Sequence, residues 1–339
     1  MNSEDISITN KLLSTSKKIV VVGHKNPDGD AVGSCLGLCN FLKQKGHQAQ
    51  VVMPNDFPDF LKWIPEASSI INYEQNFEET KTAIQQAEII FTLDFNAFNR
   101  TGGLATELEE ATADFILIDH HQQPDDYAVV TYSDVGMCST SEMVFHFMEA
   151  LDDIDLLNKE IATQLYVGIM TDTGSFRFPA TTATTHRVIA NLIEAGANNS
   201  SIHQNVYDTN SPDRLKLLGA ALNNMVMLPE FRTAYITISQ DELNENNFKK
   251  GDTEGFVNYA LSMSGVIFAI IFIENKKEEI IKISLRSKGE FSVNEFSRSH
   301  YNGGGHTNAA GGRSLKNLTD TIEEFISILP RYKKELNES

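Results

Sequence analysis

The chain has 339 residues, with 28 Lys+Arg against 46 Asp+Glu and a formal net charge of −18. At 41% hydrophobic and 22% charged residues, the composition excludes a long disordered or collagen-like chain. The acidic balance speaks against passive binding of long nucleic acid, which needs a net basic surface. It leaves room for carboxylate-held cations that take phosphates.

The first eighteen residues lack the apolar core of a signal peptide. The longest apolar stretch, Val266–Ile273, falls well short of the ~20 residues a membrane helix needs. Cys35, Cys39 and Cys138 form no disulfide framework or zinc ribbon. Together these predict a cytoplasmic protein with no membrane partner. Ile19–Val22 is a β-branched strand that runs into GHKNPDGD, followed by a small-residue helix over 31–45. Further strands are expected at 50–53, at 88–93 ending in Asp94, at 115–118 ending in Asp119, and at 129–132. Short apolar runs between helical segments indicate a parallel sheet covered on both faces. A helix over 139–151 opens with CSTSE, where Ser139 or Thr140 caps and Glu142 closes a capping box. Helices over 159–170, 182–196 and 212–227 follow. From about Phe231 the runs TAYITI, VIFAIIFI and EIIKISLRS are β-rich, and a last helix surrounds EFIS. The expected organisation is an α/β domain over 1–195, a helical linker over 196–229 and a smaller α+β domain over 230–339.

The polar clusters fall just after strand C-termini, the rim where open α/β sheets bind ligands. His24, Asp28 and Asp30 lie within seven residues on a Pro/Gly turn. Such mixed ligands suit Mn²⁺, Zn²⁺ or Fe²⁺, and the carboxylate share favours Mn²⁺ or Mg²⁺. Asp94 ends one strand, and Asp119-His120-His121 follows another. Adjacent side chains diverge, so one of the two His binds metal and the other donates to a substrate oxygen. Asp119 orients a His from behind. Asp172 sits at a helix C-terminus, where a carboxylate calls for a compensating cation. Four carboxylates and two His fit a pair of divalent cations acting on a phosphoryl group. Arg100 meets either a phosphate oxygen or solvent. In the loop NGGGHTNAAGG, Gly304 and Gly305 let backbone amides approach an anion, with His306 beside them. Arg286 and Ser287 end a strand that could face the same ligand. Lys282 and Arg298 are expected in solvent, and His146, His186 and His203 in structural or surface positions.

These motifs resemble the DHH/DHHA1 phosphoesterase family. GHKNPDGDAVGS, TLDFNAFNRTG, LIDHH, GIMTDTGSF and NGGGHTNAAGG occur in the family's order and span most of the chain. The resemblance is best to the short two-domain NrnA-type oligoribonuclease/pAp phosphatases. It implies a catalytic first domain and a substrate-binding second domain flanking an active-site cleft, and two Mn²⁺ per chain, with Mg²⁺ or Co²⁺ as substitutes. His24, Asp28 and Asp94 would hold one ion; Asp30, Asp94, His120 and Asp172 would hold the other. His121 would contact the scissile phosphate, with Asp94 and Asp119 in the same catalytic group. Gly304, Gly305, His306 and Arg286 would grip the far end of the substrate; Ser287 and Arg100 are further substrate-binding candidates from their own positions in the sequence. The implied activity is hydrolysis of short oligoribonucleotides and linear dinucleotides such as pApA and pGpG, with 3′-phosphoadenosine 5′-phosphate a further substrate. The implied partners are short RNA and, through the first domain, a second copy of the chain. A phosphatase or exopolyphosphatase on other small esters, or a non-catalytic nucleotide sensor, is the alternative.

Overall fold

The computed structural model describes residues 1–338, which form two compact units, Met1–Thr209 and Asn210 onward. In chain order the first unit contains α1 (Ser3–Leu12), β1 (Lys18–Val22), α2 (Gly29–Gln44), β2 (Gln48–Met53), β3 (Ile71–Asn72), α3 (Phe77–Gln86), β4 (Ile89–Leu93), α4 (Ala105–Glu109), β5 (Asp114–Asp119) and β6 (Val130–Ser133). Four helices follow: α5 (Thr140–Ala150), α6 (Lys159–Asp172), α7 (Ala183–Glu194) and α8 (Asn199–Tyr207).

The six strands are all parallel, in the order β3-β2-β1-β4-β5-β6. Their runs IVVV, IIFTL and FILI are buried on both faces, as a sheet covered by helices on each side requires. The order reverses between β1 and β4, which places a crevice at the C-terminal ends of these strands. His24 and Asp94 follow β1 and β4 there, and His120 follows β5 next to them.

Almost every residue of α2 is buried, so it is a core helix with no solvent face. Asp28 caps it, accepting from the amides of Asp30 and Ala31 at 3.0 and 3.1 Å. The small residues of α2 let α6 approach to backbone contact: a Cβ on Gly33 would lie 2.4 Å from the carbonyl oxygen of Gln164. This close crossing brings Asp30, near the start of α2, toward Asp172, at the end of α6.

The second unit contains α9 (Pro212–Asn223), β7 (Val226–Leu228), β8 (Thr233–Ile238), α10 (Gln240–Glu245), α11 (Phe256–Leu261), β9 (Phe268–Asn275), β10 (Ile280–Ser287), α12 (Val293–His300), β11 (Gly304–His306), β12 (Ala309–Ser314) and α13 (Leu318–Ile328). The sequence predicts helix up to residue 227. The helix instead closes at Asn224, and Val226–Leu228 joins the edge of a sheet. That sheet runs β11-β12-β10-β9-β8-β7, antiparallel except for β8 beside β9. One face packs Ile281, Ile283 and Leu285 against Phe296 of α12 and Phe325 of α13. The other packs Ile236 and Ile271 against Leu217 of α9 and Phe256 of α11.

Charge divides sharply between the units. Residues 1–209 hold 12 Lys+Arg against 29 Asp+Glu, and residues 210–339 hold 16 against 17. The acidity of the chain is therefore a property of the unit that carries the Asp/His cluster.

Candidate active site

The C-terminal rim of the parallel sheet gathers the side chains that the motifs single out. Three of them are His whose roles follow from what their Nδ1 atoms do. His24 Nδ1 lies 2.9 Å from the carbonyl oxygen of Lys25, so it carries the proton and donates. His120 Nδ1 donates in the same way to the carbonyl of Met137 at 3.2 Å. In both rings Nε2 is left to face carboxylates. His24 Nε2 is 3.4 Å from Asp94 Oδ2 and 3.9 Å from Asp28 Oδ1. His120 Nε2 is 3.5 Å from Asp94 Oδ1, 3.5 Å from Asp172 Oδ2 and 3.9 Å from Asp30 Oδ2. These separations are too long for good hydrogen bonds.

Asp94, Asp119 and His121 offer donor atoms within 4.8 Å of one another, and so do two further sets, His24/Asp28/Asp94 and Asp30/His120/Asp172. Asp94 turns one oxygen to each of these two. Its backbone is left-handed, at φ 64°, a conformation that Asp tolerates better than most residues. A carbonyl-anchored imidazole that aims Nε2 at buried carboxylates is the usual arrangement of a metal-binding His. The charge distribution agrees. Burial together with Asp94 and Asp172 pushes the Asp30 carboxyl well up, and burial and Asp28 push Asp172 up to about 6. Against the cost of burial, Asp94 and Asp28 raise His24 to about 9, and Asp94 and Asp172 raise His120 well above its ordinary value. Burial opposes ionisation of Asp94, yet His120 and His24 hold it well below the ordinary carboxylate range. Carboxylates crowded beside imidazoles in a largely buried site fit divalent cations.

His121 is arranged differently. Its Nδ1 donates to Asp119 Oδ1 at 2.7 Å and lies 3.7 Å from Asp94 Oδ1. Asp119 is wholly buried, so it fixes the ring and leaves Nε2 as the remaining polar atom of His121. Asp172 is the last residue of α6. The turn after it runs left-handed through Gly174, Ser175 and Phe176. His203 secures that turn: its Nδ1 donates to the carbonyl of Asn199 at 2.8 Å and its Nε2 accepts from the Ser175 hydroxyl at 3.1 Å.

One contribution is absent from the motifs. The N-terminus of α5 points at the cluster. The amides of Thr140 and Ser141 donate to Asp30 Oδ2 and Oδ1 at 2.7 and 2.9 Å, and the Thr140 hydroxyl donates to Asp94 Oδ1 at 3.1 Å. Ser139 caps this helix as expected, accepting from the Glu142 amide at 3.0 Å. Glu142 does not close the expected box. It turns inward, where it accepts from Cys138 Sγ at 2.8 Å and from the Thr185 hydroxyl at 3.1 Å. A cap signal was visible in CSTSE; the two backbone donors had no side-chain signature.

Arg100 is exposed, and its carbonyl accepts from the Lys25 amide at 2.9 Å, tying the two loops together. Ser287 is buried; its hydroxyl donates to the Phe291 carbonyl at 2.6 Å and accepts from Asn308 Nδ2 at 2.9 Å. Arg286 Nη1 donates to the Leu285 carbonyl at 2.9 Å. Gly304 and His306 pair with Gly311 and Ala309 as strand β11. The Gly305 amide, expected to face an anion, donates to buried Asn294 Oδ1 at 3.0 Å instead.

Comparison with known proteins places this geometry. The DHH family N-terminal domain matches residues 18–169, and the DHHA1 domain matches residues 232–335. A Thermus thermophilus protein, bifunctional oligoribonuclease and PAP phosphatase NrnA, is 30% identical over 94% of this chain and 90% of its own length. The chain belongs to the DHH family. The Bacillus subtilis NrnA is another relative of this DHH protein, 28% identical over 89% of this chain and 90% of that one. A crystal structure of an exopolyphosphatase-related protein from Bacteroides fragilis superposes with a TM-score of 0.94 at 37% identity, covering 99% of this chain and 98% of that one. RecJ from Thermus thermophilus, solved in complex with Mn²⁺, shares the DHH fold at a TM-score of 0.52 and 12% identity, covering 98% of this chain and 53% of that one.

Proposed function

We propose that this DHH-family phosphoesterase hydrolyses short oligoribonucleotides and linear dinucleotides, such as pApA and pGpG, to mononucleotides, and that it also takes 3′-phosphoadenosine 5′-phosphate to AMP. The observation that carries the reading is Asp94, whose two carboxylate oxygens turn to two separate Asp/His sets. Two NrnA relatives that cover nine-tenths of their own length support the substrate class.

His24, Asp28 and Asp94 would hold one divalent cation, and Asp30, Asp94, His120 and Asp172 a second, with Mn²⁺ the first choice and Mg²⁺ or Co²⁺ alternatives. Bound there, such ions neutralise phosphoryl charge and make water a stronger nucleophile. The chain supplies the rest. Asp119 holds the Nδ1–H of His121, so a protonated His121 donates from Nε2 to a non-bridging phosphate oxygen. The second unit, with its even charge balance, offers the nucleotide Arg286 and the Gly304–His306 strand. The acidic first unit repels long strands, which favours substrates of a few nucleotides. Among the described residues no helix is long and apolar enough to cross a membrane. The three buried free thiols agree with a reducing cytoplasm, and a homodimer is the expected assembly.

The deciding experiment sets pApA, a long single-stranded RNA and pAp side by side with Mn²⁺-loaded protein and its Asp94→Asn variant. Fast AMP release from pApA, slow action on the long RNA and a dead variant support the reading. No turnover of pApA by the wild type overturns it. The likeness to an exopolyphosphatase-related protein favours a second reading, hydrolysis of polyphosphate or another base-free ester. Turnover that ignores the base would select it.

A further inference from the structure

The register of the second sheet exposes an arrangement that the motifs do not show. Opposite residues of an antiparallel pair share a face, and so do residues two apart on a strand. Arg286 pairs with Ala309, and Ala309 with His306. Two residues along, Ser284 pairs with Gly311, and Gly311 with Gly304. Two residues further, Lys282 pairs with Arg313. One face therefore carries a basic rung (His306, Arg286), a rung of small residues (Gly304, Gly311, Ser284) and a second basic rung (Arg313, Lys282).

This face is exposed at the second basic rung and at Gly311, while His306, Arg286, Gly304 and Ser284 are half-buried. Helices α9, α10 and α11 pack on it over β8 and β9. Beyond them Lys282, Gly311 and Arg313 are exposed, and a Cβ on Gly311 would meet nothing nearer than a carbonyl oxygen at 3.7 Å. The result is a strip with cationic ends and small residues between them, bordered at Gly304 by Asn294 and Arg298 of α12, 3.5 and 3.7 Å from where a Cβ would lie. Ile281, Ile283 and Leu285 alternate onto the opposite, buried face, which fixes the direction of Lys282, Ser284 and Arg286.

The second basic rung is costly by itself. Like charges directly opposite one another in a sheet repel. Neither Lys282 nor Arg313 makes an ion pair with a carboxylate among the described residues. An anion between them would remove the repulsion. The first and second basic rungs are four residues apart, about 13 Å along a strand. A single phosphate cannot touch both, whereas phosphates of different nucleotides in one short strand can.

We propose that Lys282 and Arg313 form a second phosphate grip, which takes a backbone phosphate of an oligoribonucleotide while Arg286 and His306 take another. The proposal rests on the short-RNA reading given above. It makes the strip a length sensor: a dinucleotide fills one rung, and a tetranucleotide reaches both.

The test compares the wild type with the double variant Lys282→Gln/Arg313→Gln on pApA and on a 5′-phosphorylated tetraribonucleotide. The expected result is a fall of about tenfold in kcat/KM for the tetramer relative to pApA, carried by KM with kcat retained. The salt dependence of KM for the tetramer should flatten by one to two phosphate contacts. Lys316→Gln, which alters an exposed lysine paired with Glu324, should move neither substrate. The melting midpoint of the double variant should hold or rise because a repulsion is removed; a fall would assign the pair a structural role and overturn the proposal. An equal loss on both substrates, or none on the tetramer, also overturns it. Fluorescence anisotropy of the labelled tetramer in EDTA separates this proposal from the hydrolase reading. If the wild type cleaves nothing but binds the tetramer, and the double variant loses that binding, the grip stands and the reading falls. If the wild type does not bind the tetramer, the grip falls.

Discussion

The backbone amide of Thr140 donates to Asp30 Oδ2 at 2.7 Å, and the next amide, of Ser141, donates to Oδ1 at 2.9 Å. Asp30 is 1% exposed, and the positive end of α5 faces its carboxylate. The Thr140 side chain adds a third bond, to Asp94 Oδ1 at 3.1 Å. Thr140→Val removes that bond alone and keeps the shape. A hydrogen bond to a charged buried group is worth about 1.5–3 kcal/mol. The cation concentration for half-maximal activity should therefore rise about tenfold or more, while Thr140→Ser stays close to wild type. Isothermal titration with Mn²⁺ checks this directly. Unchanged affinity in Thr140→Val would show that the hydroxyl does not matter to the cluster.

The second prediction concerns the helix crossing beneath the site. A Cβ on Gly168 of α6 would lie 1.9 Å from Ser141 Oγ and 2.7 Å from Asp30 Oδ1. Gly168→Ala must push α5 or Asp30 aside, and overpacking of this kind costs about 1–3 kcal/mol. Gly219, in α9, is the contrast: a Cβ there meets nothing within 4 Å. Gly219→Ala should stabilise by about 0.5–1 kcal/mol through helix propensity. Urea unfolding of both variants, with activity measured alongside, is the check. The idea fails if Gly168→Ala keeps full stability and full activity.

These two glycines also show which parts of the structure were legible in the sequence. Short apolar runs bounded by polar turns gave the parallel sheet, and carboxylates at strand ends gave the rim, because burial on both faces and ligand binding at C-termini both leave side-chain signatures. Thr140 and Ser141 act through their amides, which every residue has. The two His of LIDHH are separated in role by where Nδ1 donates. For His120 the acceptor is Met137, 17 residues along, which no local pattern encodes. Lys282 reads as a solvated charge until β12 is set in register against β10. The second strand of the edge pair, β7, was lost to the helical pattern of 212–227 because three residues carry too little periodicity to overrule a long helix.

The pH response offers a third prediction at a point away from the cluster. His146 on α5 faces two carboxylates, Glu142 with Nε2 at 3.8 Å and Glu149 with Nδ1 at 2.7 Å; Tyr132 of β6 lies near both. Glu142 and Glu149 raise the imidazole pKa above its ordinary value, against partial burial. A raised folded-state pKa means that protonation favours the folded state. The contribution is complete below the unfolded value of about 6.5 and is lost as pH rises through the raised folded value. His146→Gln should therefore cost about 0.5–1 kcal/mol at pH 6, as a half-exposed charge pair does, and much less at pH 9. Denaturation curves at the two pH values test it. A penalty that grows with pH would contradict the assignment.

The last prediction uses stability to ask whether the Asp/His cluster holds cations. Asp30, buried, and Asp172, half-buried, lie beside Asp94, and both carboxyls are pushed up by desolvation and by neighbouring carboxylates. Without a cation the cluster must carry protons or repel itself. Any ion that binds only the folded chain stabilises it, by about 2.7 kcal/mol when its concentration is 100 times the dissociation constant. A unit of this size shifts its midpoint by about 2–4 °C per kcal/mol. Thermal unfolding in EDTA and in excess Mn²⁺ should therefore differ by several degrees. Asp94→Asn removes charge from both donor sets at once, so it should abolish most of that shift. In EDTA it should melt below the wild type, because the carboxylate that pairs with His24 and His120 is gone. His121→Ala gives the complementary case: it leaves both donor sets intact, so it should retain the Mn²⁺ shift while losing turnover by about 10²–10⁴-fold. Equal midpoints for the wild type with and without Mn²⁺ would remove the metal from the argument. A lost shift in His121→Ala would instead make His121 a ligand.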